Sequence, residues 1–275
     1  MKWNSYLPAL LLSFLFACSK KDVDEKQPAA PGPPPAPVTM QQRPFTSSIG
    51  SNIGGYYVAK PSNYDSTPTR YPLIIFLTGA GQFGNGSVDL PALLNDGLAQ
   101  LLDERRFPGT FTINGETFSF IVFTPQFKNF ASVLNVKECI AFAKANYRVD
   151  TSRIYLSGLS IGAELAADAG AEIPLQLAAV VPLAGIPQDY LTTNKCQVLA
   201  SNNLPLWAFH SQNDPIYPIT TATAFINKIN SFSPSLRSKI TVWPTGGHDA
   251  WTRAIEPAYK EGGMNIYEWM LQYKR

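Results

Sequence analysis

Charge is scarce in this chain of 275 residues: Asp, Glu, Lys and Arg make up 15% of it, against about a quarter in an ordinary globular protein. The net charge is only +2, and no Lys/Arg-rich run offers a track for phosphates, so no nucleic-acid partner is expected. Histidine occurs twice and cysteine three times. So few imidazole and thiolate groups, with no paired Cys and no acidic ligand spacing, give no basis for a zinc or calcium centre. Long hydrophobic runs are missing as well. The most apolar stretch, residues 7–17, is shorter than the about 20 residues a membrane-spanning helix needs.

That stretch nevertheless follows Lys2 and stops at Cys18, which suits the core of a secretory signal. Leu15-Phe16-Ala17-Cys18 resembles a bacterial lipobox. The resemblance implies cleavage after residue 17 and lipid on Cys18, giving an exported lipoprotein anchored at the periplasmic face or the cell surface. Several acyl chains hold a protein to a membrane where one does not. A plain signal peptide that happens to contain a cysteine is the alternative; the small Ala17 and the polar residues after Cys18 favour lipidation. Of the other two cysteines, Cys139 shares a helical stripe with Val136, Ile140 and Ala143, which favours a buried thiol over a bridge to Cys196.

Residues 19–26 are charged, and Pro28, Pro31, Pro33, Pro34, Pro35 and Pro37 follow. Such a segment builds no core and favours extended polyproline geometry, about 3.1 Å per residue. Residues 18–44 therefore read as a semi-rigid spacer between a leader (1–17) and a single folded domain (45–275). Within that domain strand-like runs lie at 56–59, 72–78, 118–124, 153–156, 178–183, 206–209 and 239–243. Helical spacing appears at 132–147, 161–171, 221–229 and 264–273, and 186–203 reads as the one extended connection. Asn114-Gly115 signals a hairpin turn. Strands that are apolar throughout, such as Leu73-Ile74-Ile75-Phe76-Leu77, belong to a parallel sheet covered on both faces. The expected fold class is α/β, with a mostly parallel central sheet flanked by helices.

Two glycine motifs compete for the chemistry. Gly79-Ala80-Gly81-Gln82-Phe83-Gly84 matches G-x-G-x-x-G, the dinucleotide fingerprint, but Asn85-Gly86-Ser87 and Pro91 delay the helix that should open there. No acidic residue ends a second strand at the required distance, so no nicotinamide or flavin cofactor is expected. Gly158-Leu159-Ser160-Ile161-Gly162 matches G-x-S-x-G, between an expected strand and an expected helix, which is the setting of a nucleophile elbow. The flanking glycines suit a sharp turn, and the helix start directs N–H groups toward an anion forming at Ser160. Serine is also a common helix N-cap. What separates the two readings is whether partners follow in the order Ser, acid, His. His248 lies in the loop between the run at 239–243 and the final helix. Asp214 lies just past the run at 206–209, ahead of Asp189 and Asp249 as the candidate acid. His210 precedes that acid in the chain and is expected to be structural. Ser160, Asp214 and His248 thus form the candidate triad, with Ser160 attacking a carbonyl, His248 moving its proton and Asp214 orienting the ring.

These residues resemble the α/β-hydrolases, in particular secreted bacterial esterases often labelled predicted peptidases. That group is related to feruloyl and acetyl-xylan esterases and polyhydroxybutyrate depolymerases. The likeness rests on residues 72–81, on Pro125-Gln126, on Ile154-Tyr155-Leu156-Ser157-Gly158-Leu159-Ser160, on Trp207-Ala208-Phe209-His210, on His248-Asp249-Ala250-Trp251-Thr252-Arg253 and on Ile266-Tyr267-Glu268-Trp269-Met270. It implies hydrolysis of acyl esters of feruloyl or acetyl type, carried by a small molecule or a polysaccharide, without a cofactor. A serine peptidase or general small-ester hydrolase uses the same groups. The family usually carries His-Gly after the first core strand where this chain has Thr78-Gly79. That departure is the one feature pointing instead to a silent binding protein on a hydrolase scaffold. The oxyanion donors implied are backbone N–H groups of Ile161 and of Ala80 or Gly81. Gln82, Phe83, Phe127 and Trp251 are candidate substrate contacts.

Overall fold

The computed structural model describes residues 40–186 and 194–275. Cys18, the leader and most of the spacer lie outside the described residues, as does Asp189. An eight-stranded sheet runs in the order β1 (Gln41–Phe45), β2 (Ile53–Lys60), β6 (Ile121–Phe127), β3 (Tyr71–Leu77), β7 (Val149–Leu159), β8 (Ala179–Leu183), β9 (Trp207–Ser211), β10 (Lys239–Trp243). The pairs β1–β2 and β2–β6 are antiparallel, and every pairing from β6 to β10 is parallel. The folded unit starts before residue 45, contrary to the boundary expected from sequence. Residues 41–45 pair with β2, and Pro44 is tolerated because β1 is an edge strand.

Burial explains why the central strands are apolar without alternation. Along β3, Leu73, Ile75 and Leu77 enter one core with Val136 and Ile140 of α2 (Val133–Asn146), Leu165 of α3 (Ile161–Glu172) and Phe225 of α5 (Ile219–Ser231). Ile74 and Phe76 enter the other core, with Leu98 and Leu101 of α1 (Gly97–Asp103) and Tyr267 and Met270 of α7 (Ile266–Leu271). Successive side chains of a strand point to opposite faces. A strand covered on both faces must therefore be apolar at every position.

Several expectations need correcting. The run at 118–124 is broken. Phe118 ends β5 (Glu116–Phe118), which pairs with β4 (Phe111–Ile113), and β6 begins at Ile121. Asn114 and Gly115 turn that hairpin with φ of 52° and 79°, the double positive φ of a type I′ turn. The connection at 186–203 is not structureless: α4 (Lys195–Ser201) occupies part of it and buries Cys196, Leu199 and Ala200. The last helix is shorter than 264–273. Asn265 caps it by accepting from the N–H groups of Tyr267 and Glu268 at 3.1 and 2.9 Å. Cys139 and Cys196 are both buried thiols with no bridge between them.

Leu156 lies in the middle of β7 with no exposed surface, whereas Leu134 on α2 is 62% exposed. Leu156→Ala is expected to cost about 2–5 kcal/mol, and Leu134→Ala less than about 0.5 kcal/mol. Denaturant unfolding of the two variants checks this; equal losses would contradict the assignment of the core.

Candidate active site

The carboxyl ends of β3, β7, β9 and β10 meet at one edge of the sheet, where open α/β sheets hold their ligands. β7 delivers Ser160 through a turn that leaves almost no room. A Cβ on Gly162 would lie 2.2 Å from the carbonyl oxygen of Leu77, and one on Gly158 would lie 2.5 Å from that of Gly162. Ser160 itself has φ 53° and ψ −124°, a conformation that side-chain-bearing residues rarely adopt. Its N–H donates to Leu183 O of β8 at 2.9 Å, which ties the turn to the sheet. Although Ser160 stands at the N-cap of α3, its side chain makes no capping bond.

Instead Ser160 Oγ is 2.9 Å from His248 Nε2, and His248 Nδ1 is 2.9 Å from Asp214 Oδ2. Asp214 is a carboxylate and can only accept, so the ring proton sits on Nδ1 and Nε2 is left to accept from the serine hydroxyl. The structure thus brings together the three residues expected from sequence. Asp249 does not compete with Asp214: it is exposed, and its Oδ1 accepts from Thr252 N–H at 2.9 Å.

Asp214 is held with unusual thoroughness. Its side chain has no exposed surface. Oδ1 accepts from the N–H groups of Ile216 at 2.8 Å and Tyr217 at 3.0 Å, and His210 Nε2 stands 3.4 Å from Oδ2. A buried carboxylate needs this many donors to offset its lost hydration. His210 Nε2–H donates to Tyr217 O at 2.8 Å, so this histidine closes the acid loop from below. Tyr217 carries no sequence motif, yet it contacts His210, Asp214, Glu164 and His248. Its ring stacks on His248 at 5.7 Å, and its hydroxyl donates to Glu164 Oε2 on α3 at 3.0 Å. No motif marks such a residue; only the fold assembles it.

The loop after β3 lies against the serine: a Cβ on Gly79 would come 3.6 Å from Ser160 Cβ. Ala80–Gln82 form a single 3-10 turn, a second 3-10 helix follows at Leu90–Asn95, and no α-helix begins until α1 at Gly97, so no α-helix opens at these glycines as the dinucleotide fingerprint requires. Gln82, expected as a substrate contact, is only 3% exposed and serves the loop itself. Its Oε1 accepts from Gly79 N–H at 2.9 Å. Gln126, buried in β6, donates through Nε2 to Gln82 O at 3.1 Å and to Asp89 O at 2.7 Å. Among the described residues nothing accepts from the N–H groups of Ile161, Ala80 or Gly81. These are the donors expected for an oxyanion, and they are open to receive one. Trp251 packs edge-on against His248 at 5.1 Å and anchors its Nε1–H on Asp96 Oδ1 at 3.0 Å. Phe83 and Phe127 line a small pocket with Thr78, Ile161 and Leu165.

Burial holds His210 below the ordinary histidine value of 6.5, against the pull of the Tyr217 carbonyl and of Asp214. The unfolded chain then takes up this proton first. Stability conferred by neutral His210 is present above pH 6.5 and is lost as pH falls through the lower folded value. Wild type is therefore expected to lose more stability than His210→Gln between pH 7.5 and 5.5, by at most about 1.4 kcal/mol per pH unit. Urea unfolding across that range measures it, and parallel curves would contradict it.

Residues 118–261 match the family described as Phospholipase/Carboxylesterase, a stretch that contains Ser160, Asp214 and His248 but not the loop at 79–82. The chain is 28% identical over 155 residues to poly(3-hydroxyalkanoate) depolymerase C of Paucimonas lemoignei, a match spanning 54% of this chain and 35% of that one. Among solved structures it is similar to a thermostable esterase, with a TM-score of 0.60 and 22% identity over 86% of this chain and 64% of that one. A ferulic acid esterase is similar at a TM-score of 0.55 and 16% identity, covering 78% of this chain and 93% of that one. At such identities the structural likeness speaks for the fold, which is that of the α/β-hydrolases. The family match covers more than half of the chain, and the chain belongs to the phospholipase/carboxylesterase family of α/β-hydrolases.

Proposed function

We propose that this protein is a serine hydrolase of carboxylic esters, working through Ser160, His248 and Asp214. The observation that carries the reading is the continuous relay from Ser160 Oγ to His248 and on to Asp214, each contact at 2.9 Å. In the first half-reaction Ser160 Oγ bonds to the ester carbonyl carbon while its proton passes to His248 Nε2. The carbonyl electrons move onto oxygen, where the N–H groups of Ile161 and of Ala80 or Gly81 receive them. Each such donor typically lowers the barrier by about 3 kcal/mol. The carbon–oxygen bond to the alcohol then breaks, and His248 returns the proton to that leaving oxygen. Water completes the second half-reaction: His248 takes its proton, hydroxide adds to the acyl carbon, the bond from that carbon to Ser160 Oγ breaks as His248 returns the proton to Oγ, and the acid departs. Asp214 keeps the imidazole in the tautomer this needs and stabilises the imidazolium.

The substrate we propose is a feruloyl or acetyl ester carried on a carbohydrate. It is supported by the resemblance to that esterase group, and a lipid anchor at Cys18 would suit an enzyme working on polymer outside the cytoplasm. Ser160→Ala should lower kcat on p-nitrophenyl acetate by more than about 10⁴-fold, and Asp214→Asn by about 10⁴-fold. Undiminished turnover by Ser160→Ala would contradict the nucleophile. A panel of acetylated and feruloylated xylo-oligosaccharides tests the substrate: turnover of simple esters with none of either sugar ester would overturn it.

A further inference from the structure

Gln126 puts an amide where its strand would otherwise carry an apolar side chain. It lies near the end of β6, which is buried along its whole length, and it has no exposed surface. A polar group at such a position costs free energy unless its hydrogen bonds are made. Oε1 accepts from Gly86 N–H at 2.8 Å, and Nε2 donates to Gln82 O at 3.1 Å and to Asp89 O at 2.7 Å. None of these partners belongs to a strand; all three lie in the chain that leaves β3. A carboxamide is the neutral side chain that donates twice and accepts through one planar group.

The segment it holds has few bonds of its own. Residues 79–84 contain one 3-10 turn, closed by Gln82 N–H to Gly79 O at 3.1 Å and Phe83 N–H to Ala80 O at 3.3 Å. Gly81 borders open space, for a Cβ there would meet nothing within 4 Å. The tight packing is at Gly84, where a Cβ would come 2.6 Å from Gln126 Nε2. Gln82 supplies a second buried amide. Its Oε1 accepts from Gly79 N–H at 2.9 Å and its Nε2 donates to Asp96 O at 3.4 Å. One amide thus fixes the backbone at Gln82 and the other fixes it at Gly79. Ala80 and Gly81 lie between the two fixed points.

We infer that Gln126 and Gln82 are positioning residues for the oxyanion donors: their amides fix both ends of the segment that presents the N–H groups of Ala80 and Gly81. The inference rests on the serine-esterase reading above. Such donors act at full strength only when they are in place before charge develops on the carbonyl oxygen. Both amides are buried, so they act through the loop, and neither bonds to Ser160, Asp214 or His248.

The readout is the discrimination between p-nitrophenyl acetate and its thiono analogue, in which sulfur replaces the carbonyl oxygen. Each rate is divided by that ester's alkaline hydrolysis rate. Sulfur is larger and accepts hydrogen bonds weakly, so donors placed for an oxyanion favour the oxygen ester. Wild type is expected to prefer it by about 10²-fold or more in kcat/KM, since one such donor is worth about 10²–10³. Gln126→Met should lower kcat on the oxygen ester by about 10²-fold, change KM by less than about threefold, and cut the preference by about tenfold or more. Gln82→Met releases Gly79 N–H while keeping the Gln126 bonds, and should cut the preference by about fivefold or more. This arm stands even where Gln126→Met does not fold. Leu199→Ala, buried in α4 away from the loop, should lose stability and keep the preference. No preference in wild type, an unchanged preference in folded Gln126→Met or Gln82→Met, or an equal drop in Leu199→Ala overturns the inference. Labelling of wild type by a fluorophosphonate separates the two levels. A labelled enzyme whose preference ignores both amides overturns their positioning role alone, and an unlabelled one overturns the serine reading and that role with it.

Discussion

A serine held at φ 53° sits in a backbone conformation that costs on the order of 1–3 kcal/mol unless its surroundings impose it. The imposition comes from three sides. β7 arrives paired to β3 and β8, the Ser160 N–H is tied to Leu183 O, and α3 departs so close to β3 that Gly162 nearly touches the carbonyl of Leu77. This close packing of strand end against helix start is the constraint on which the rest of the site depends. It leaves Ser160 Oγ without a capping bond to its own helix and sets Gly79 of β3's exit loop beside Ser160. The proposed nucleophile and the proposed oxyanion donors are then held by the same packed strand end and helix start.

The pair of Asp214 and His248 is built by a different device. Asp214 and His248 sit on separate loops, after β9 and before the final helices, and loops need fastening. The acid loop supplies its own: two backbone N–H groups close on one carboxylate oxygen, and His210 holds the Tyr217 carbonyl from beneath. Tyr217 then joins this loop to His248 by stacking and to α3 through Glu164. The loop that carries His248 is secured by Trp251, whose indole N–H donates to Asp96 Oδ1. The two histidines of the chain thus share a single carboxylate with unequal duties. One is buried and neutral in support, and the other is 22% exposed and paired with the serine.

What the sequence disclosed follows from which forces are local. The runs at 72–78 and 178–183 are legible because two-face burial writes itself as nearly unbroken apolar residues. The elbow was legible because steric crowding demands glycine at both flanks, and the triad because only two histidines existed to choose between. The helix α4 was missed because its short apolar stripe of Cys196, Leu199 and Ala200 sits in an otherwise polar connection. β1 was missed because its pairing partner lies across a turn and its composition is that of an edge. Gln82 was assigned to substrate since it follows a glycine loop, yet its amide closes that loop; which way a side chain turns is decided by Gly79 and Asp96, not by its neighbours in the chain. Tyr217 acts through His248, Glu164 and its own backbone and leaves no motif; Pro125-Gln126 belongs to the family likeness, but what the Gln126 amide does depends on Gln82 and Asp89, far from it in the chain.

In the function proposed above Ser160, and no other group, is activated as a nucleophile. Peptide mapping of the native protein after inhibition by a fluorophosphonate addresses it most directly. A single phosphonyl adduct on Ser160, lost in Ser160→Ala, is the expected result. An adduct on another residue, or undiminished labelling of Ser160→Ala, would contradict it.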